Sequence, residues 1–136
     1  MTANAFMSIS LDPAIIAVSV ADKARMCDLL LRTRRFAVSI LPEGSENLAL
    51  HFAGKRDPWF NASFFDCDRL PVLKNSSAWF TADVCDISHV GDHHVFFGRV
   101  SRFATNRPTA PLIYYQGQFG AFSRATRSEA QNAEQG

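Results

Sequence analysis

Three of the four histidines in the chain fall within six residues, beside an aspartate and a glycine. Imidazole nitrogens and carboxylate oxygens are metal ligands, and they also exchange protons near neutral pH. His89 and His93 are four residues apart, a spacing that suits one helical face. However, Gly91-Asp92 between them is typical of a turn, and neither a cysteine nor a glutamate completes a metal shell. We therefore expect no metal here, and a polar hairpin tip that includes His94 is the ordinary structural interpretation.

A second group of charged residues follows an apolar run. Residues Ala14 to Val20 read as a buried strand, and Asp22 can cap a helix that begins after it. A helix start offers backbone N–H groups to an anion, and Lys23 and Arg25 add positive charge there. Because cations are unfavourable near a helix start, a bound phosphate would resolve the conflict. Two solvated surface charges are the alternative interpretation.

The composition argues against several classes of function. The 136 residues carry 14 Lys and Arg against 13 Asp and Glu, so neither a nucleic-acid-binding surface nor a membrane-binding surface is expected. No apolar run approaches the roughly 20 residues of a membrane span, and the first residues lack the basic segment of a signal peptide. The sequence contains no Gly-x-Ser-x-Gly, Gly-x-Gly-x-x-Gly or P-loop motif, which argues against a serine hydrolase and a nucleotide-binding α/β fold.

The cysteines indicate the compartment. Cys27, Cys67 and Cys85 are odd in number and show no regular spacing, so they do not form a disulfide framework. Free thiols are typical of reducing compartments, and we expect a cytoplasmic protein.

The elements that must position these residues are mainly strands. Twelve phenylalanines, punctuated by glycine and proline, favour a small β-barrel with helical additions. Strands are predicted at 14–20 and 36–41, a hairpin from Ser76 to Phe103 with its loop at 89–92, and a last pair at 111–115 and 119–122. We expect one domain, residues 1–122, and a disordered tail, residues 123–136.

Two helices separate the early strands. The first is expected to bury one face, formed by Met26, Leu29, Leu30 and Thr33. The second is expected to begin at Ser45 and to end at Gly54. Asp57-Pro58 predicts one further short helical turn.

Four stretches of the sequence together resemble the flavin reductase family, whose fold is the flavin-binding split β-barrel. They are Thr2-Ala3-Asn4-Ala5-Phe6 with Ser8 to Pro13, Phe36 to Leu41 with Leu48 to Gly54, His89 to His93 with Phe97 to Val100, and Pro111 to Gly117. The third stretch contains Gly91-Asp92-His93, which is similar to the Gly-Asp-His signature of the family. Each motif is weak alone, but their order and spacing over residues 2–122 make the resemblance specific.

The resemblance implies an activity. Enzymes of this family reduce free flavin, whether FMN, FAD or riboflavin, with NADH or NADPH. They commonly supply reduced flavin to a separate monooxygenase, and they typically work as homodimers with the flavin near the subunit interface. A non-enzymatic flavin-binding or dimerisation module of the same fold is the alternative.

The resemblance also implies the site. His93 is expected beside the nicotinamide, where its imidazole would pack against the ring or hydrogen-bond the carboxamide, while the cofactors carry the hydride chemistry. The candidate cofactor-binding residues are Thr2, Ala3, Asn4, Ala5, Ser8, Ser10, Asp22, Lys23, Ala24, Arg25, Met26, Phe52, Lys55, Gly91, Asp92 and Tyr115. Trp59 is a further candidate for lining the pocket.

Two of these segments allow more than one interpretation. The stretch from Thr2 to Ser10 is small and polar, so its backbone could approach a flat ring closely, or its hydroxyls could simply cap turns. The family usually places hydroxyl residues in the phosphate loop, whereas this chain has Lys23-Ala24-Arg25-Met26. This departure predicts weaker binding of the phosphate and an exchangeable flavin.

Phe52 follows Leu48 by four residues, which also suits a core position.

The first residues carry one more expectation. Family members usually have a helix and a β-hairpin before the segment that Thr2-Ala3-Asn4 matches. We therefore expect a barrel that is incomplete at its N-terminus, either because the chain is shortened or because a second subunit covers the open edge. An isolated monomer would then be poorly stable.

Overall fold

A five-stranded antiparallel sheet organises the protein. The computed structural model describes residues 1–106 and 109–125. In chain order the elements are β1 (Phe6–Leu11), β2 (Ala14–Ala21), α1 (Arg25–Thr33), β3 (Arg35–Ile40), α2 (Glu46–Phe52), β4 (Phe64–Cys67), β5 (Leu70–Leu73), β6 (Ala78–Val90), β7 (His93–Thr105), β8 (Ile113–Tyr115) and β9 (Gln118–Gly120). The large sheet has the order β1-β2-β7-β6-β3, while β4-β5 and β8-β9 are separate hairpins. The prediction of a mainly β fold with helical additions is confirmed.

The core lies between the sheet and α1. Its buried members come from β2, α1, β3, β6 and β7, and they are Ile16, Val18, Val20, Cys27, Leu30, Phe36, Ala82 and Phe96. Consecutive residues Ile16, Ala17 and Val18 are all buried, so β2 is covered on both faces at its centre, as its continuous apolar run predicts.

The start of α1 differs from the sequence prediction. Its N-cap residue is Ala24, which has no side chain that can cap, and Asp22 lies outside the helix. The buried face carries Cys27 and Leu30, whereas Leu29 is 44% exposed. The prediction that Asp22 caps α1 is therefore wrong, because its carboxylate is engaged by histidines from another part of the sheet.

The β6–β7 hairpin is the longest feature of the fold. Each strand has 13 residues, and the loop is only Gly91-Asp92, since Val90 pairs with His93. Gly91 has φ +60°, a conformation that glycine adopts without strain. The predicted loop at 89–92 is thus too long, and His89 belongs to a strand.

Three further strands were not expected. Phe6–Leu11 is strand β1 at the edge of the sheet rather than a polar loop. The β4–β5 hairpin turns at Asp68-Arg69, where both residues have positive φ. This turn carries neither glycine nor proline, so it lacks the usual sequence signal of a hairpin. By contrast, the predicted last pair of strands is confirmed as β8 and β9, with its turn at Gln116-Gly117.

The remaining expectations concern closure of the barrel, the turn at Asp57-Pro58 and the C-terminal tail. β1 and β3 stand at opposite ends of the five-stranded sheet, which is not closed into a full barrel within the described ranges 1–106 and 109–125. Asp57-Pro58 forms a single hydrogen-bonded turn, from the N–H of Phe60 to the Asp57 carbonyl. Residues 123–125 have no regular structure, and the rest of the predicted tail lies outside the described residues. None of the helices in the described part of the chain is long and apolar enough to span a membrane.

Candidate functional site

The N-terminal segment lies across α2. The N–H of Thr2 donates to the Phe52 carbonyl at 3.1 Å, and its hydroxyl donates to the Ala49 carbonyl at 2.6 Å. The carbonyl of Ala5 then accepts the N–H of Ser19 on β2. The exposed backbone of residues 2–5 therefore connects α2 to the sheet.

Ser8 and Ser10 lie further along β1. They pair with Ile16 and Ile15 of β2, with a bulge between the two serines. These serines are strand residues rather than turn caps, so the turn-capping alternative does not apply to them.

A second group of candidate residues meets where the β2–α1 loop touches the hairpin tip. The N–H of Asp22 donates to the Asp92 carbonyl at 3.0 Å, and Ala21 pairs with His93. Lys23 and Arg25 are exposed at the start of α1, where the N–H of Cys27 donates to the Ala24 carbonyl at 2.8 Å and the N–H groups of Arg25 and Met26 precede this first bond of the helix. The fold thus brings the predicted phosphate loop next to the Gly-Asp-His stretch, although the two lie about 70 residues apart in sequence.

The carboxylate of Asp22 is held between two imidazoles. Its Oδ2 accepts a hydrogen bond from His89 Nε2 at 2.8 Å, and its Oδ1 accepts one from His94 Nδ1 at 2.7 Å. The two rings stack at 4.4 Å with an interplanar angle of 27°. The hydrogen bond from His89, followed by that from His94, lowers the pKa of the Asp22 carboxyl from its ordinary value.

A buried thiol lies beneath this group. Cys27 Sγ is 3.5 Å from His94 Nδ1, and the His94 ring stacks 6.0 Å from the ring of Phe96. Burial, followed by the negative charges of Asp22 and Asp28, raises the pKa of the Cys27 thiol. A raised pKa disfavours the thiolate, so Cys27 is a core residue and not an activated nucleophile.

His93 points away from that group. It directly precedes His94 on β7, and successive strand residues face opposite sides of a sheet. Its Nδ1 donates to Asp92 Oδ1 at 2.8 Å, a hydrogen bond that lowers the pKa of the Asp92 carboxyl. One ring nitrogen is bonded to Asp92 and the side chain is 44% exposed, so the other nitrogen is accessible to a ligand.

Other candidate residues lie apart from the hairpin tip. Phe52 packs edge-on against Phe64, with ring centroids 6.0 Å apart, and Lys55 and Trp59 are exposed beyond the end of α2. Tyr115 is exposed on β8, whose hairpin is attached beside the end of β3. That end of β3 pairs with the beginning of β6, at the opposite end of the sheet from His93. One chain therefore does not bring Tyr115 to the Gly-Asp-His stretch.

Sequence reasoning did not identify a cavity of about 370 Å³ between α2 and β5. Its lining includes Ser45, Asn47, Asn61, Ser63 and Asn75, which are scattered over 31 residues of sequence. None of the candidate residues named from the sequence lines it. No motif could have shown it, because short polar side chains are ordinary in loops.

Solved structures share this arrangement of strands. The structure titled flavin reductase PheA2 in native state has a TM-score of 0.86 and 32% sequence identity, covering 91% of this chain and 80% of that chain. The styrene monooxygenase flavin reductase (SMOB) from Pseudomonas putida S12 has a TM-score of 0.84 and 33% identity, covering 93% of this chain and 82% of that chain. The fold is that of the flavin reductases, as the sequence resemblance implied.

The amino-acid sequence supports the same relationship. The family model described as "Flavin reductase like domain" matches residues 1–123. The chain is 33% identical over 129 residues to an NADH-dependent flavin reductase from Rhodococcus sp., covering 95% of this chain and 73% of that protein. It is 36% identical over 122 residues to the NADH-dependent flavin reductase StyB from Pseudomonas fluorescens, covering 88% and 71%. The chain belongs to the flavin reductase-like domain family.

Proposed function

We propose that this protein is an NAD(P)H-dependent flavin reductase that reduces free FMN or FAD. The single observation that carries this proposal is the contact between the β2–α1 loop and the Gly91-Asp92-His93 tip, made by the Asp22 N–H to the Asp92 carbonyl. This contact brings a cationic helix start next to an imidazole that can bond a ligand. Family membership over residues 1–123 supports the same conclusion.

The residues at this place fit a flavin. The opening N–H groups of α1, with Lys23 and Arg25, suit its phosphate. The small residues of segment 2–5 are exposed and leave room for a flat ring against the backbone. The flavin supplies the hydride-accepting chemistry when it is bound, and the protein contributes binding, orientation and exclusion of water.

Asp22 supports the site indirectly in this proposal. Its carboxylate is engaged by His89 and His94, so it does not add a free negative charge beside the phosphate. Its backbone N–H holds the tip that carries His93. Ala24 and Met26 offer no hydroxyl to the phosphate, which supports weak, exchangeable flavin binding.

The proposed activity is tested by following NADH and NADPH oxidation at 340 nm with added FMN, FAD or riboflavin. We expect turnover that depends on added flavin. If no nicotinamide is oxidised with any of the three, the enzyme proposal is wrong. Flavin binding without turnover, measured by fluorescence quenching, would instead support the alternative of a non-enzymatic flavin-binding module.

Replacing His93 with alanine is expected to raise the KM for the nicotinamide about ten-fold, while the Kd for flavin stays unchanged. The reason is the loss of roughly one hydrogen bond to the nicotinamide, worth about 1–2 kcal/mol. Steady-state kinetics and flavin titration measure the two quantities separately. His51→Ala is the control, because His51 packs between Phe52 and Phe60 and takes no part in the tip. Equal losses of flavin and nicotinamide affinity in His93→Ala would contradict the assignment.

We further propose that the enzyme is a cytoplasmic homodimer that serves a separate monooxygenase. Structural relatives include the reductase component of a styrene monooxygenase and, in BorF, that of a two-component tryptophan halogenase. The three cysteines are free thiols, which suits a reducing compartment.

The dimer contact is expected on edge strand β1. Met7, Ile9 and Leu11 are exposed there, and an exposed apolar edge strand is a common association surface. Leu11→Glu is expected to weaken dimerisation at least about ten-fold in sedimentation equilibrium, by burying a charge against an apolar partner. Leu29→Glu on the exposed side of α1 is the control. This contact would be contradicted if the wild-type protein stayed monomeric at 100 μM, roughly a hundred-fold above a micromolar Kd. It would also be contradicted if Leu29→Glu weakened dimerisation as much as Leu11→Glu.

A further inference from the structure

Three residues from separate elements direct metal-binding atoms at one another. Asp22 comes from the loop between β2 and α1, His89 from β6 and His94 from β7. One ligand atom of each residue, a carboxylate oxygen or an imidazole nitrogen, lies within 4.8 Å of the other two. Such a group needs an explanation because the proposed flavin reduction uses none of these three side chains directly.

The geometry suits a small cation. A tetrahedral zinc site has bonds of about 2.0–2.1 Å to imidazole nitrogen and carboxylate oxygen, which places neighbouring ligand atoms about 3.3 Å apart. Here the carboxylate oxygens lie 2.8 Å from His89 Nε2 and 2.7 Å from His94 Nδ1. The required separation of about 3.3 Å lies between these two distances and the 4.8 Å upper limit, so an ion shared by one atom of each residue would require only small shifts of the side chains.

The backbone already holds the three residues in place. His89 and His94 are directly opposite each other in the β6–β7 ladder, and their rings stack. Asp22 is tied to the same hairpin through its N–H bond to the Asp92 carbonyl. A site held by strand pairing loses little conformational entropy when a metal binds.

The donor set selects the kind of metal. Two imidazoles and one carboxylate suit zinc, iron, copper or nickel, whereas Mg²⁺ and Ca²⁺ prefer oxygen ligands alone. The side chains of His89, Asp22 and His94 are 55%, 40% and 21% exposed, so an ion can reach them from solvent. We propose that Asp22, His89 and His94 form a binding site for a divalent transition-metal ion, with Zn²⁺ as the occupant and water at the remaining position.

The site is distinct from the proposed nicotinamide contact. His93 faces the opposite side of β7 from His94, and it bonds Asp92 rather than Asp22. A bound ion would hold the β2–α1 loop to the β6–β7 hairpin by replacing the hydrogen bonds of the Asp22 carboxylate to His89 and His94, beside the backbone bond from the Asp22 N–H to the Asp92 carbonyl.

The proposal is tested by titrating chelator-treated protein with Zn²⁺ in competition with a chromophoric chelator. We expect one equivalent to bind, and Mg²⁺ at a hundred-fold excess not to displace it. His89→Gln and Asp22→Asn each remove one ligand with little change in shape. Each is expected to weaken zinc binding by at least about a hundred-fold, because loss of an outer-shell partner alone costs roughly 10–100-fold. A second readout is the rise in melting temperature on adding Zn²⁺, which both variants should lose.

Two control variants exclude binding elsewhere. His51→Gln and Cys85→Ser remove another histidine and the exposed thiol, and both should keep wild-type zinc affinity. Circular dichroism checks that each variant is folded. The proposal is overturned if wild-type protein takes up no Zn²⁺, or if folded His89→Gln and Asp22→Asn bind it as tightly as wild type. None of these measurements involves flavin, so their outcome is independent of the proposed reductase activity.

Discussion

Replacing Phe96 with alanine is expected to lower the free energy of unfolding by about 3–5 kcal/mol. Phe96 lies on β7 in the middle of the core and has no exposed surface. Its ring supports that of His94, 6.0 Å away. Truncation removes buried apolar surface and leaves a cavity that the paired strands on either side cannot close. The same change should also loosen the His89, His94 and Asp22 group.

Urea denaturation followed by circular dichroism measures the loss. Phe103→Ala is the matched control, because it makes the same substitution on the same strand at a side chain that is 68% exposed. We expect the control to lose less than about 1 kcal/mol, as is usual for surface substitutions. If Phe96→Ala and Phe103→Ala lowered the free energy of unfolding by the same amount, the Phe96 ring would not be the residue that holds the core together.

Adding a single methyl group at Gly98 is expected to lower the free energy of unfolding by about 1–3 kcal/mol and the melting temperature by on the order of 5–10 °C. Gly98 is the β7 residue that lies directly beneath the Phe36 ring. A Cβ atom there would be 2.6 Å from Phe36 Cζ and 2.8 Å from Ala82 Cβ. Both distances are well inside van der Waals contact, so the strands would have to move apart.

Thermal melting of Gly98→Ala tests this overpacking. Gly120→Ala on β9 is the control, because a Cβ there meets no atom within 4 Å. Combining Gly98→Ala with Phe36→Leu removes the outer atoms of the Phe36 ring, so the double variant should recover part of the lost stability. Such a recovery would show that the effects of the two substitutions on stability are coupled. A melting temperature unchanged in Gly98→Ala would mean that β3 and β7 are less closely packed than the structure shows.

Local patterns in the sequence were sufficient for several features of the site. The apolar run of β2, the turn at Gly91-Asp92 and the start of α2 near Ser45 were all predicted. The first two features depend on residues close together in the chain, through burial of a continuous apolar stretch and the positive φ that glycine permits. Ser45 precedes α2 as predicted, but its side chain makes no capping hydrogen bond. The order of four motifs was enough to indicate the family, and its membership is confirmed.

The partners of the polar side chains depended on pairing register instead. Asp22 looked like a helix cap from its neighbours in sequence, yet it bonds histidines that lie 67 and 72 residues away. The four-residue spacing of His89 and His93 suggested that these two histidines form a pair, but the two-residue loop places His89 opposite His94. Moving the register by one residue turns every side chain to the other face of a strand, so the loop length decides which histidines meet.

The sequence by itself determined where apolar strands and tight turns form, because burial and backbone conformation are governed by a few adjacent residues. Only the tertiary structure decided that Asp22 joins His89 and His94, that the β2–α1 loop touches the Gly-Asp-His stretch, and that Tyr115 lies at the far end of the sheet. Those results follow from strand order β1-β2-β7-β6-β3, in which β2 pairs with a strand that begins more than 70 residues later. Contacts over such separations are selected by packing of the whole core, which no local motif records.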